Sequence, residues 1–135
     1  MRNLFSRIRR GRDRGAVAVE MALVLPILIV LVFGVIDFGR LFNAQIAVTQ
    51  AAREGARLAA LGNSVSTVTT KSRAAAPNLT PLGVAVTSCP AGATQTTDAV
   101  VVVTYSFTFS NPLVNLVGLP TTKTVTGTGH MPCQG

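Results

Sequence analysis

Residues 16–36 read AVAVEMALVLPILIVLVFGVI, an apolar run with a single charge, Glu20. As a helix rising about 1.5 Å per residue, this run is roughly 30 Å long, the thickness of a bilayer's hydrocarbon core. The apolar part of a cleaved secretory signal is usually about 7–15 residues. This run is longer and no A-x-A-like site follows it, which predicts a retained membrane span. Pro26 removes one backbone hydrogen bond and crowds the preceding turn, so a modest kink is expected there. Membrane helices tolerate such a residue because neighbouring groups re-satisfy the freed carbonyl.

On the N-terminal side the chain is basic. Arg2, Arg7, Arg9, Arg10, Arg12 and Arg14 are six of the twelve Lys and Arg residues, and Asp13 is the one acid before Gly15. The rest of the chain holds six basic and four acidic residues, so most of the net charge of +7 belongs to the leader. Arginines beside an apolar segment act as a topology signal or an anionic-lipid contact, and they place the N-terminus in the cytoplasm. Arg40 is the one basic residue soon after the span. The basic groups have no interleaved aromatics on which bases would stack, which argues against nucleic-acid binding.

On the C-terminal side the helix is expected to continue. Residues 37–61 contain no proline and many alanines, and Leu41, Gln45/Ile46, Val48, Ala52, Ala56 and Ala59 recur at three- and four-residue steps. That stripe is made of small residues, which suits close approach of another helix. Gly62-Asn63-Ser64 supplies a stop, Ser64 is placed to cap a short helix through Ala75, and Pro77 and Pro81 mark a linker. Beyond it, residues 98–109 alternate, with Val101, Val103, Tyr105, Phe107 and Phe109 on one face. Residues 123–131 alternate Thr with Val, Gly and Met, and residues 83–88 offer a third strand, with breaks at Asn111-Pro112 and Gly118-Leu119-Pro120.

The expected fold class is therefore α+β: a long N-terminal transmembrane helix followed by a small antiparallel sheet. Its parts are a basic cytoplasmic leader (1–15), the span (16–36), its continuation outside (37–63), a Ser/Thr/Ala/Pro-rich connector (64–82) and a β domain (83–135). Outside the helix the chain is short for an independent core. Cys89 and Cys133 lie there without a CxxC pair. With His130 they make three potential metal ligands, whereas a closed zinc site takes four. Outside the cytoplasm a disulfide is favoured, closing a loop worth about 4 kcal/mol at most in the chain-entropy model.

Three charged constellations stand out. Glu20 is the fifth residue after Gly15, inside the apolar run. A carboxylate there is costly unless it is paired or sits at the interface and snorkels. Asp37 and Arg40 lie one turn apart just past the span, placed to pair with each other or to meet another subunit at the membrane surface. Arg53, Glu54 and Arg57 form a solvated helix face or a docking face beside Gly55 and Ala56. Asp37-Phe38-Gly39 spells a kinase metal motif, but no Gly-rich loop, strand lysine or HRD accompanies it. The sequence contains no catalytic constellation, so no enzyme, cofactor, metal or small-molecule substrate is expected.

The run RGAVAVEMALVLP resembles the type IV prepilin signature, in which a membrane peptidase cuts after the glycine. With IDFGRLF and AAREGARLAA the resemblance narrows to the TadE-like family, pseudopilins of the Tad (Flp pilus) machinery, over about residues 14–61. The resemblance implies cleavage between Gly15 and Ala16 and an assembly role for Glu20. It also implies a structural function, with the bilayer, other pilin-like subunits, a membrane assembly platform and a prepilin-type peptidase as partners. The implied location is the inner membrane, with the C-terminal part outside or carried into a pilus. The competing expectation is an unprocessed, single-pass, membrane-anchored envelope protein with a small binding or structural domain.

Overall fold

The computed structural model describes residues 5–110, 114, 118 and 120–134, with backbone alone for residues 5–14. One helix, α1, runs from Phe5 to Ala60 without interruption, past Gly15 and Pro26. The boundary expected at Gly15 is thus not a break in the backbone. No proline lies between Phe5 and Leu25, arginine is a good helix former, and an isolated glycine costs only about 1 kcal/mol. The expected interruptions at Asn111-Pro112 and Leu119 lie outside the described residues.

At its other end α1 stops where a left-handed residue is supplied: Gly62 has φ +76°. The Asn63 N–H and side-chain amide both donate to the Leu58 carbonyl. Helix α2, Val65–Ala74, starts at Ser64, whose hydroxyl accepts from the Thr67 N–H at 3.3 Å as an N-cap does. Three strands follow: β1 (Leu82–Thr87), β2 (Asp98–Thr108) and β3 (Thr122–Pro132), antiparallel in the order β1-β2-β3. Register brings Val103 opposite Val84 on one side and Gly127 on the other.

The alternation in β2 sets which face is buried. Val101, Val103 and Phe107 point inward with Leu82 of β1 and Val125, Gly127 and Gly129 of β3; the threonines of β3 point out. This inner face lies on the distal half of α1, where Ala44, Val48, Ala51, Ala52, Gly55, Ala56, Ala59 and Ala60 are buried. The small-residue stripe of α1 is therefore covered by the chain's own sheet and, at Gly55, by the chain's own helix α2. Gln45 and Ile46, expected on that stripe, are exposed, Ile46 at 58%.

Glycine makes the contact possible. A Cβ on Gly127 would stand 2.6 Å from the Val48 carbonyl oxygen, and one on Gly129 2.6 Å from the Ala52 carbonyl carbon. Strand and helix backbones touch there directly. Gly55 does the same for α2 and β2, with Ser72 and Val101 against it. Glycine inside a strand loses pairing stability, and a close backbone approach is one reason to accept that loss.

The far end of the domain is tied covalently. Cys89, after β1, and Cys133, after β3, are joined by a disulfide with Cα atoms 5.9 Å apart. The bond links the two outer strands across β2, and it uses both thiols, which removes the three-ligand metal alternative. The Cys133 N–H donates to the Thr97 carbonyl at 2.8 Å, and the Gln134 N–H to the carbonyl of Ala60 at the end of α1. Helix end and sheet end are thereby fastened together.

Substitution by alanine separates the glycines by sign. Gly129→Ala pushes a methyl group into the α1 backbone and should lose about 1–3 kcal/mol, as overpacking does. Gly39→Ala, with nothing within 4 Å of the new atom, should gain up to about 1 kcal/mol from helix propensity. Thermal melting of the full chain in detergent reads both; equal effects would contradict the backbone contact.

Candidate functional site

Residues 15–33 of α1 are all exposed among the described residues. Val17, Met21, Leu23, Ile27, Leu31 and Val35 are all more than half exposed. The helix is long and apolar enough to cross a membrane, with a mean hydropathy of 2.8 in its most apolar window and none of that window buried. Glu20 is an exposed residue on this surface and makes no ion pair among the described residues. Gly15, also exposed, has no atom within 4 Å of where its Cβ would stand. These two residues lie about one and a half turns apart on one rod, and among the described residues no other element is brought to them.

The second locus is the junction between span and domain. Asp37 is 4% exposed although its neighbours on α1 are open. Its carboxylate accepts from the Ser110 backbone N–H at 3.2 Å and from Arg40 Nη1 at 3.4 Å. Arg40 Nη1 also donates to the Ser110 hydroxyl, and its guanidinium lies 5.4 Å from the centre of the Phe107 ring. Phe107 in turn meets Phe109 edge to face, with ring centres 5.3 Å apart. The Asp37–Arg40 pair is thus more than an i,i+3 surface pair. It holds the end of β2 against α1 at the level where the helix leaves its apolar stretch.

The third locus, Arg53, Glu54 and Arg57, remains a surface feature. Arg57 and Glu54 are 3.9 Å apart with side chains 65% and 45% exposed, so their pairing contributes little. Between them Gly55 turns inward and carries the docking of α2. No group of three or more metal-binding side chains occurs among the described residues.

Several residues that matter here gave little signal in the sequence. Ser110 is one serine in a Ser/Thr-rich half. Gly127 and Gly129 were visible as glycines at alternate strand positions, a pattern that marks a close backbone approach. Ser72 is fully buried with its hydroxyl unpartnered among the described residues.

The model of the family described as TadE-like protein matches residues 15–57. Over that stretch the chain is TadE-like. The match starts at Gly15, covers the apolar run, Glu20 and the Asp37–Arg40 pair, and ends at Arg57 within the glycine–alanine docking face. No curated protein and no solved structure matches the chain. The TadE-like segment and its exposed apolar helix support a membrane-anchored, pilin-like protein associated with a Tad pilus, a structural family and not an enzymatic one. The α2–β part lies beyond the match.

Asp37→Ala removes a charged acceptor shared by the Ser110 N–H and Arg40 and should cost about 1.5–3 kcal/mol. Hydrogen exchange should quicken at Ser110 well before it changes at Gly129. Unchanged exchange at Ser110 would show that the junction is held by other contacts.

Proposed function

We propose that the chain is a pseudopilin of a Tad-type machine, a minor structural or assembly subunit, cut after Gly15. The observation that carries this reading is the TadE-like match beginning at Gly15 and running through Glu20 and the span. Cleavage leaves an ammonium on Ala16, one turn from the Glu20 carboxylate. In lipid a charge without a partner is costly, so Glu20 then pairs with its own ammonium or a neighbour's. The apolar half of α1, with no buried residue among the described residues from 16 to 36, is covered by lipid before assembly and by other pilin-like helices after it.

The arginine asymmetry about the span places the leader in the cytoplasm and the domain outside. There the Cys89–Cys133 bond is chemically favoured. The partners on this reading are the bilayer, other pilin-like subunits, a membrane assembly platform and a prepilin-type peptidase. The unbroken course of α1 through Gly15 favours one competitor, an unprocessed single-pass envelope protein, because a peptidase needs the scissile bond in an accessible, locally unwound segment.

Protein from the native host should begin at Ala16. A retained Met1 and arginine leader hands the reading to the unprocessed anchor. Gly15→Leu should leave the chain full length. Glu20→Ala should be inserted and cut, yet lose co-purification with its pilin-like partners; undiminished co-purification would make Glu20 a mere interfacial group. A reporter active only in the cytoplasm, fused after Gly135, should be silent.

A further inference from the structure

On the membrane-proximal side of the domain, a cavity of about 300 Å³ opens between α1, the turn after α2 and the end of β2. Arg40, Asn43, Asn78 and Tyr105 give it a polar lining, with Leu79 and Phe107 behind them. Its volume is at the small end of ligand sites. We propose that this cavity holds the phosphate of an anionic phospholipid headgroup in the outer surface of the membrane. The proposal takes from the reading above that residues 16–36 span a bilayer with the domain outside; it does not require cleavage or a pilus.

Depth is the first argument. Arg40 lies four residues past Ile36, about 6 Å along the helix. The polar layer on each side of the hydrocarbon core is about 5–8 Å thick. Phe38 and Phe42, which flank Arg40 in sequence, are 60% and 65% exposed. Apolar side chains are thus displayed to the surroundings at the same height. The Arg40 end of the cavity is thus at headgroup height, and Ala47, eleven residues past Ile36, lines its outer end.

Chemistry is the second argument. The side chains of Asn43, Asn78 and Tyr105 make no hydrogen bond among the described residues. Both side-chain bonds of Arg40 use Nη1, so Nη2 and Nε remain as donors. Two amides, a phenol and half a guanidinium form a set of donors suited to phosphate oxygens. Among the lining residues none is a carboxylate. The nearby carboxylate, Asp37, is buried and engaged by Ser110 and by the other edge of Arg40.

The test uses the full chain in bilayers containing equal phosphatidylglycerol and phosphatidylcholine, with retained lipid read by native mass spectrometry. One basic group near an anionic surface is worth about fivefold in occupancy. The leader arginines bind the same lipid on the opposite surface, so the readout is the difference between variants that share the leader. Ala75, exposed at the end of α2, also lines the cavity; Ala75→Leu fills it without touching the Asp37–Ser110 junction. Wild type should retain phosphatidylglycerol about fivefold over Ala75→Leu and over Arg40→Gln, with the Ala75→Leu melting point unchanged. Equal retention in wild type and a folded Ala75→Leu would overturn the proposal. So would displacement of the lipid by millimolar glycerol 3-phosphate, which would mark a site for a soluble anion. A change of oligomeric state in Ala75→Leu with lipid retention intact would assign the cavity to a protein segment and overturn it as well.

Discussion

The contact of two backbones, α1 at Val48 and Ala52 against β3 at Gly127 and Gly129, is the constraint on which the rest of the molecule depends. At that distance no side chain fits between helix and strand. The alanines of α1 and the inward valines of β2 then close around the contact, and the core forms mostly from small residues, with Phe107 and Leu82 the large ones. Bulk is replaced by proximity: many short-range contacts, each weak, accumulate where backbones meet. The tie between Gln134 and Ala60 and the junction of Asp37 with Ser110 fasten the two ends of the same seam.

That seam divides one helix between two environments. From Ala44 to Ala60 the helix is a wall of the domain and buries a single face. From Ala16 to Ile36 it is apolar on every side apart from Glu20, and none of its residues is buried among the described residues. A helix of the second kind is unstable in water and at home in lipid or among other helices. The change occurs around Asp37 and Arg40, the first residues past the apolar run whose side chains bind the domain.

Much of this was legible in the sequence. The apolar run of 16–36, the stop at Gly62, the Ser64 cap and the alternation of β2 each follow from a local rule, and α2 and β2 formed within a few residues of their expected places, while α1 begins eleven residues earlier, at Phe5. What was not legible is what covers what. The alanine stripe of 44–60 fits another helix or a sheet equally well, because small residues specify closeness and not the identity of the partner. Treating residues 83–135 as a separate domain therefore gave too small a core; the missing wall was residues 44–60 of the helix. Asp37 presented a nearby partner in Arg40, and nothing in the sequence pointed seventy-three residues ahead to Ser110. The signal for the docking surface lay in Gly127 and Gly129, whose alternation with threonine exposes a strand backbone on the inner face.

If the distal helix is a wall of the domain, it cannot outlast the sheet. Hydrogen exchange of the full chain in micelles, before and after reduction of the Cys89–Cys133 bond, measures this directly. Weakening the sheet by reduction should lower protection at residues 44–60 together with β2 and β3, and leave residues 23–36 unchanged. Residues 44–60 keeping full protection while the strands lose theirs would contradict the account, since the helix would then stand without the domain it is said to complete.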